Sequence, residues 1–116
     1  MSIEFDVESA RLDGERGLVS VRGEVDIYTA PRFKESLLEL LDSGVSRVVV
    51  DLSEVTFIDS TALGVLIGGV RRLHDRDGRL SLVVASRPVE RVLTVTGLDR
   101  VFAIHPTRDA ALAALD

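Results

Sequence analysis

At positions 59–61 an aspartate precedes two hydroxyl side chains, Asp59-Ser60-Thr61, within the run TFIDSTALGVLIGGVRRL (Thr56 to Leu73). Such a trio suits two kinds of chemistry. A serine backed by a carboxylate and a histidine is a nucleophile, and an exposed serine is an acceptor for a phosphoryl group. The histidines argue against the first. His74 lies on the same expected helix, roughly 21 Å from Ser60 at 1.5 Å per residue. His105 closes a different segment, and IDSTA lacks the flanking glycines of a G-x-S-x-G elbow. Other chemistry is thinly supplied. The chain has no cysteine, which removes disulfides, thiol nucleophiles and thiolate zinc sites, and only 2 histidines, too few for a metal site without thiols. Neither a G-x-x-x-x-G-K-[ST] loop nor G-x-G-x-x-G occurs. RLHDRDGR (Arg72 to Arg79) reads as a solvated helix end with a turn, and the carboxylates Asp13/Glu15 and Asp75/Asp77 read as soluble turn residues. No catalytic residue, cofactor or metal is expected.

The trio stands where a strand gives way to a helix, and that position has two readings. Ser, Thr and Asp are favoured N-caps, so any of the three can serve only to satisfy orphan backbone N–H groups. Alternatively, Ser60 carries a regulatory phosphate, which a helix start stabilises through its dipole and free N–H donors. Rotating 100° per residue from Ser60 places Leu63, Leu66, Ile67, Val70 and Leu73 on one face, the expected core. The other face carries Thr61, Gly64, Val65, Gly68, Gly69 and Arg72. Each glycine costs a helix about 1 kcal/mol relative to alanine. Either they let a partner dock closely beside the hydroxyl, or they let another part of this chain pack there.

The elements that position this helix follow from periodicity. Ile3, Phe5 and Val7 alternate with Glu4, Asp6 and Glu8, a half-buried strand over Ile3 to Leu12. DGERG (Asp13 to Gly17) is a turn, and LVSVRGEV (Leu18 to Val25) alternates again, giving an antiparallel hairpin. Thr29 before Pro31 caps a helix near Ala30 to Asp42, with Phe33, Leu37, Leu40 and Leu41 as its apolar stripe and Gly44 as its stop. RVVVDL (Arg47 to Leu52) is a strand covered on both faces. After the Ser60 to Asp75 helix come a strand at Leu80 to Ala85, a helix from Arg87 to Leu98 ending at Gly97, a short strand at Val101 to His105 and a helix at Pro106 to Asp116 capped by Thr107. The order predicts an α/β fold, with helices packed on a mixed sheet that begins with a hairpin.

With 116 residues and 46% hydrophobic content, the chain fits a single compact domain, 1–116. A net charge of −5 disfavours binding to phosphate backbones, so no nucleic acid is expected. Met1 to Asp6 mixes charge with apolar residues, unlike a signal peptide, and the uncharged run Ser60 to Val70 is too short to span a bilayer. A cytoplasmic, membrane-free location is the expectation.

Three segments resemble the STAS family, the domains shared by sulfate transporters and anti-sigma-factor antagonists. They are VRGEVDIYTAPRF (Val21 to Phe33), VVVDLSEVTFIDSTALGVLIG (Val48 to Gly68) and TGLDRVFAIHPTRDAALAAL (Thr96 to Leu115). The resemblance covers nearly the whole chain. It implies a four- or five-stranded mixed sheet flanked by about four helices, mostly on one side. It further implies a stand-alone bacterial partner-switching protein. Such a protein binds an anti-sigma factor that is also a serine kinase, frees a sigma factor, is switched off when the kinase phosphorylates it, and is restored by a serine phosphatase. Carried over by motif, the phosphorylated residue is Ser60, preceded by Asp59, with Thr61 as the adjacent hydroxyl. Glu24 and Asp26 match the acidic positions of the first loop, beside the same site. With the glycine-bearing face, the expected partner surface is Glu24, Asp26, Asp59, Ser60, Thr61, Gly64, Val65 and Gly68. Ala62 departs from the family, which often has glycine there. A binding module in another phosphorylation-controlled complex, without a sigma factor, is the alternative.

Overall fold

The computed structural model describes residues 4–115. A single five-stranded sheet runs in chain order: β1 (Asp6–Arg11), β2 (Arg16–Val25), β3 (Arg47–Ile58), β4 (Arg79–Val83) and β5 (Ala103–His105). β1 and β2 form the expected antiparallel hairpin, with Asp6 opposite Arg22 and Arg11 opposite Gly17. The other pairings are parallel. They have to be, because a helix crosses over between each pair: α1 (Ala30–Asp42), α2 (Ser60–His74) and α3 (Arg87–Thr96). A 3₁₀ turn (Leu98–Arg100) and α4 (Arg108–Ala113) complete the described chain. Ile3, expected on the first strand, and Asp116, expected in the last helix, lie outside the described residues. None of the described helices is long and apolar enough to cross a membrane.

The main core lies between one sheet face and α1, α2 and α3. Val19, Val21 and Val25 of β2 and Val48, Val50, Leu52, Val55 and Ile58 of β3 meet Phe33, Leu37 and Leu41 of α1, Leu66 and Leu73 of α2, and Val89 and Leu93 of α3. The opposite face carries a smaller cluster of Val49, Val83, Ala111 and Leu115 under α4. Beside α4 that face is polar. Asp51 is 5% exposed there. Its Oδ1 accepts the Ser53 backbone N–H at 2.9 Å and its Oδ2 accepts Arg108 Nε at 2.8 Å. Arg108 Nη2 also donates to Ser20 Oγ at 3.0 Å, so one guanidinium fastens α4 to two strands. Burial favours protonation of Asp51, but the hydrogen bonds from Ser53 and the Arg108 guanidinium outweigh it and hold the carboxyl below its ordinary 3.8.

Several boundaries differ from those expected, each for a physical reason. β3 does not stop at Leu52. Arg47 to Asp51 pair with β4, while Glu54, Val55, Phe57 and Ile58 pair with β2 alone. With one neighbour instead of two, this half needs no continuous apolar run, and two register shifts relative to β2 break its alternation. β2 starts earlier, at Arg16, because the preceding turn is tightly closed. Asp13 accepts the backbone N–H groups of Glu15 and Arg16, which with the Arg16 side chain lower its pKa to about 2. α3 ends at Thr96, since Gly97 takes a left-handed φ of 77° that breaks the helix before Leu98. Val101 lies in the turn before β5. In α2, Leu63, Leu66 and Leu73 are buried as expected, but Ile67 and Val70 are half-buried, and Ala62 and Gly69 take the remaining buried positions.

Leu66→Ala should therefore cost about 2–5 kcal/mol by urea denaturation, because it empties a site that is 1% exposed. A loss well under 1 kcal/mol would mean the cavity closes by collapse. A second measurement addresses Asp51. A depressed folded pKa contributes stability that is present above the unfolded value and lost as pH falls through the folded one. The wild type should thus lose part of its unfolding free energy below about pH 3.8, and Asp51→Asn should be weaker at pH 7 with a shallower acid decline. Parallel pH curves for the two proteins would exclude Asp51 as a source of that slope.

Candidate functional site

The neighbouring C-terminal ends of β2 and β3 bring the acidic loop and the hydroxyl pair together. Val25 pairs with Ile58 and Glu24 with Phe57. One step further, the Asp59 N–H donates to the Val25 carbonyl at 3.2 Å. The loop after β2 is thereby pinned against the start of α2. Its interior is closed by Asp26, whose Oδ1 accepts the N–H groups of Tyr28 at 2.9 Å and Thr29 at 3.1 Å. Thr29 Oγ1 donates to the Glu24 carbonyl at 2.9 Å and accepts from the Asp26 N–H at 2.9 Å. This corrects the expected role of Thr29. It is the N-cap residue of α1 by position, but its hydroxyl is spent inside the loop and makes no cap bond. Asp26 shapes the loop and is half-buried, whereas Glu24 is exposed.

The start of α2 separates the trio into distinct roles. Asp59 is the N-cap, with extended backbone (φ −117°, ψ −173°), and its Oδ1 accepts the N–H groups of Thr61 at 2.9 Å and Ala62 at 3.2 Å. Ser60 is the first helical residue and Thr61 the second, and both are exposed. Capping therefore belongs to Asp59, and the Ser60 hydroxyl takes no part in it. One expectation changes as a result: the Thr61 and Ala62 N–H groups are not free donors for a phosphate, because the Asp59 carboxylate holds them. Ala62 turns inward and is 1% exposed, so its methyl group adds to the core.

The glycines of α2 divide between the two readings of that face. A Cβ at Gly69 would lie 3.0 Å from Leu37 Cδ2 and 3.2 Å from Leu80 Cδ1, so close packing of α1 and β4 explains that residue. At Gly64 and Gly68 a Cβ would meet nothing within 4 Å. These two, with Val65 and Thr61, line a groove of about 580 Å³ between α1 and α2. The expected partner residues thus share one end of the sheet and one helix flank. Ile27, Tyr28 and Phe57 at the same end escaped the sequence reading, yet are 60%, 82% and 46% exposed. Two large apolar residues together in a loop, followed by an aromatic at a strand end, were the available signal.

No hydrolytic site is assembled around Ser60. His74 is at the far end of α2, and His105 lies level with Val83 and Asp51 in the sheet, separated from Ser60 by the C-terminal half of β3. Among the described residues no group of three His, Cys, Asp or Glu side chains could hold a metal ion.

Residues 8–111 match the STAS domain family, and the chain belongs to it. An anti-sigma-B factor antagonist of Staphylococcus epidermidis is 36% identical over 87 residues, covering 75% of this chain and 81% of that protein. The crystal structure of an anti-sigma factor antagonist from Mycobacterium paratuberculosis superposes with a TM-score of 0.89 at 31% identity, covering 99% of this chain and 98% of that one. The Bacillus cell fate determinant SpoIIAA in its phosphorylated form superposes with a TM-score of 0.72 over 97% of this chain and 100% of that one; at 20% identity it shows the shared fold alone. These relatives carry the names of binding regulators, not of enzymes.

The division of labour at the helix start is measurable. Asp59→Ala should cost about 1 kcal/mol in urea denaturation, Asp59→Asn only a fraction of that, and Ser60→Ala close to nothing. A larger loss for Ser60→Ala than for Asp59→Ala would return the capping role to Ser60.

Proposed function

We propose that this chain is an anti-sigma factor antagonist controlled by phosphorylation of Ser60. It binds an anti-sigma factor through the β2–β3 end of the sheet and the adjoining flank of α2, and so frees a sigma factor. The anti-sigma factor is also a serine kinase. It transfers the terminal phosphoryl group of a nucleoside triphosphate to Ser60 Oγ, which gives up its proton, and a serine phosphatase hydrolyses the ester again. The names of the relatives support the first part of this reading. The observation that carries the second is the exposed Ser60 hydroxyl, in the first turn of a helix capped by the residue before it.

The physics of such a switch follows from what surrounds Ser60. A phosphate there adds about −1.5 to −2 charges at the positive end of the α2 dipole, which tolerates it. The Asp59 carboxylate already occupies two of the N–H donors, so the phosphate stays outward, at a surface that also presents Glu24. A docked partner would have to bury this dianion among acidic neighbours, and an unpaired buried charge costs several kcal/mol. The fold survives while the complex does not.

The test uses the anti-sigma factor recovered with the wild-type chain from its host, purified and titrated by calorimetry. Ser60→Ala should bind like the unmodified wild type. Ser60→Glu and the phosphorylated wild type should bind more weakly, the latter by at least about a hundredfold, since each 1.4 kcal/mol is tenfold. Melting temperatures should stay together across the set. Equal affinities for all of these proteins would remove Ser60 from any regulatory role.

A further inference from the structure

The geometry points to a partner segment of defined chemistry on the α1–α2 groove: an acidic amphipathic helix of about three turns. This deepens the functional reading above and rests on it. The groove floor is apolar, formed by Leu37, Leu38 and Val65, and at Gly64 and Gly68 the α2 backbone is bare of side chains. Those glycines sit one turn apart, with open space where each Cβ would stand, so another helix can approach closely. The groove runs from Thr61 to Arg72, about 16 Å at 1.5 Å per residue, or three turns of a docked helix.

Charge selects which helix. The charged residues lining the groove are Lys34, Arg71 and Arg72. Arg72 Nη2 lies 2.6 Å from Asp42 Oδ1 and is neutralised by it. Among the described residues Lys34 and Arg71 enter no ion pair, and both are exposed. No carboxylate lines the groove, although Glu35, Glu39 and Asp42 lie beside it on α1, so the groove is a local positive strip in a chain of net charge −5. Lys34 stands in the second turn of α1 and Arg71 in the last turn of α2, so the two cations mark opposite ends of the groove. A docked helix therefore meets a cation with acidic side chains near each end.

The experiment takes the full chain and the purified anti-sigma factor of the preceding section. Lys34→Glu/Arg71→Glu should keep the wild-type circular dichroism and melting temperature, weaken binding at least about tenfold, and flatten the dependence of affinity on salt. Hydrogen exchange of the wild-type complex should show new protection in α1 and α2, and in a helical segment of the anti-sigma factor that carries net negative charge beside an apolar stripe. Reversing those acidic residues to lysine should restore affinity for the double variant. Unchanged affinity of the double variant, with Ser60 phosphorylation still weakening the complex, would overturn the groove and leave the functional reading standing. Indifference to both changes would overturn the two together. New protection confined to this chain at rising concentration would also overturn the proposal, since the occupant would then be a second copy.

Discussion

The molecule turns on a single residue between a strand and a helix. β3 ends at Ile58 and α2 begins at Ser60, so Asp59 alone must redirect the chain, cap the helix and hold the neighbouring loop. It does so with its own backbone and side chain. Its N–H reaches the Val25 carbonyl, and its carboxylate takes the Thr61 and Ala62 N–H groups. A junction this short leaves no freedom in the helix phase. With Asp59 fixed, Ala62, Leu66, Gly69 and Leu73 point into the core, while Ser60, Thr61 and Gly64 point outward. The orientation of the whole candidate surface is inherited from that cap.

The sheet contributes by being covered unevenly. Three helices seal one face around a large apolar core, and the short α4 covers part of the other. The helices are tied to one another at the end away from Ser60. Arg76 Nη1 donates to the carbonyls of Leu41 at 2.8 Å and Val45 at 3.2 Å, satisfying the C-terminal region of α1, and Arg72 pairs with Asp42 nearby. α1 and α2 are thus clamped at both ends, by the β2–β3 linkage near Ser60 and by arginines near their C-termini. The groove between them has fixed walls, which lowers the ordering cost for anything that binds in it.

How much of this could be read in advance depended on how far each signal reaches along the chain. The hairpin, the helices and the five strands were legible because alternation and helical spacing are local. So was the nomination of Asp59, Ser60 or Thr61 as a cap, although only the folded structure divides the work among them. Signals that depend on a distant partner were not legible. Gly69 looks like Gly64 and Gly68 in sequence, and only the arrival of Leu37 and Leu80 sets it apart. Thr29 precedes a proline as a cap should, yet its hydroxyl accepts the Asp26 N–H three residues back and donates to the Glu24 carbonyl. The second half of β3 was missed because it has one neighbouring strand, not two, and so lacks the continuous apolar run of the first half. The buried Asp51 gave no signal at all inside its apolar run, since its partner, Arg108, is 57 residues away.

The strand order carries a further meaning for how the protein is made. Because β1 to β5 lie side by side in the order of synthesis, each strand emerging from the ribosome finds its neighbour already present. No strand has to wait for one not yet made, and none has to be inserted between two formed ones. Everything that builds the Ser60 surface lies in β2, α1, β3 and α2, and so is made by His74, before β4, α3, β5 and α4. Until β4 arrives, the Arg47–Asp51 half of β3 presents an unpaired edge. Arg108 follows Asp51 by 57 residues and every strand in the sheet, and its bond joins α4 to the centre of that sheet. The order in which the strands are translated is also their order in space, and the carboxylate–guanidinium pair ties the segment that follows them back to the middle of the sheet.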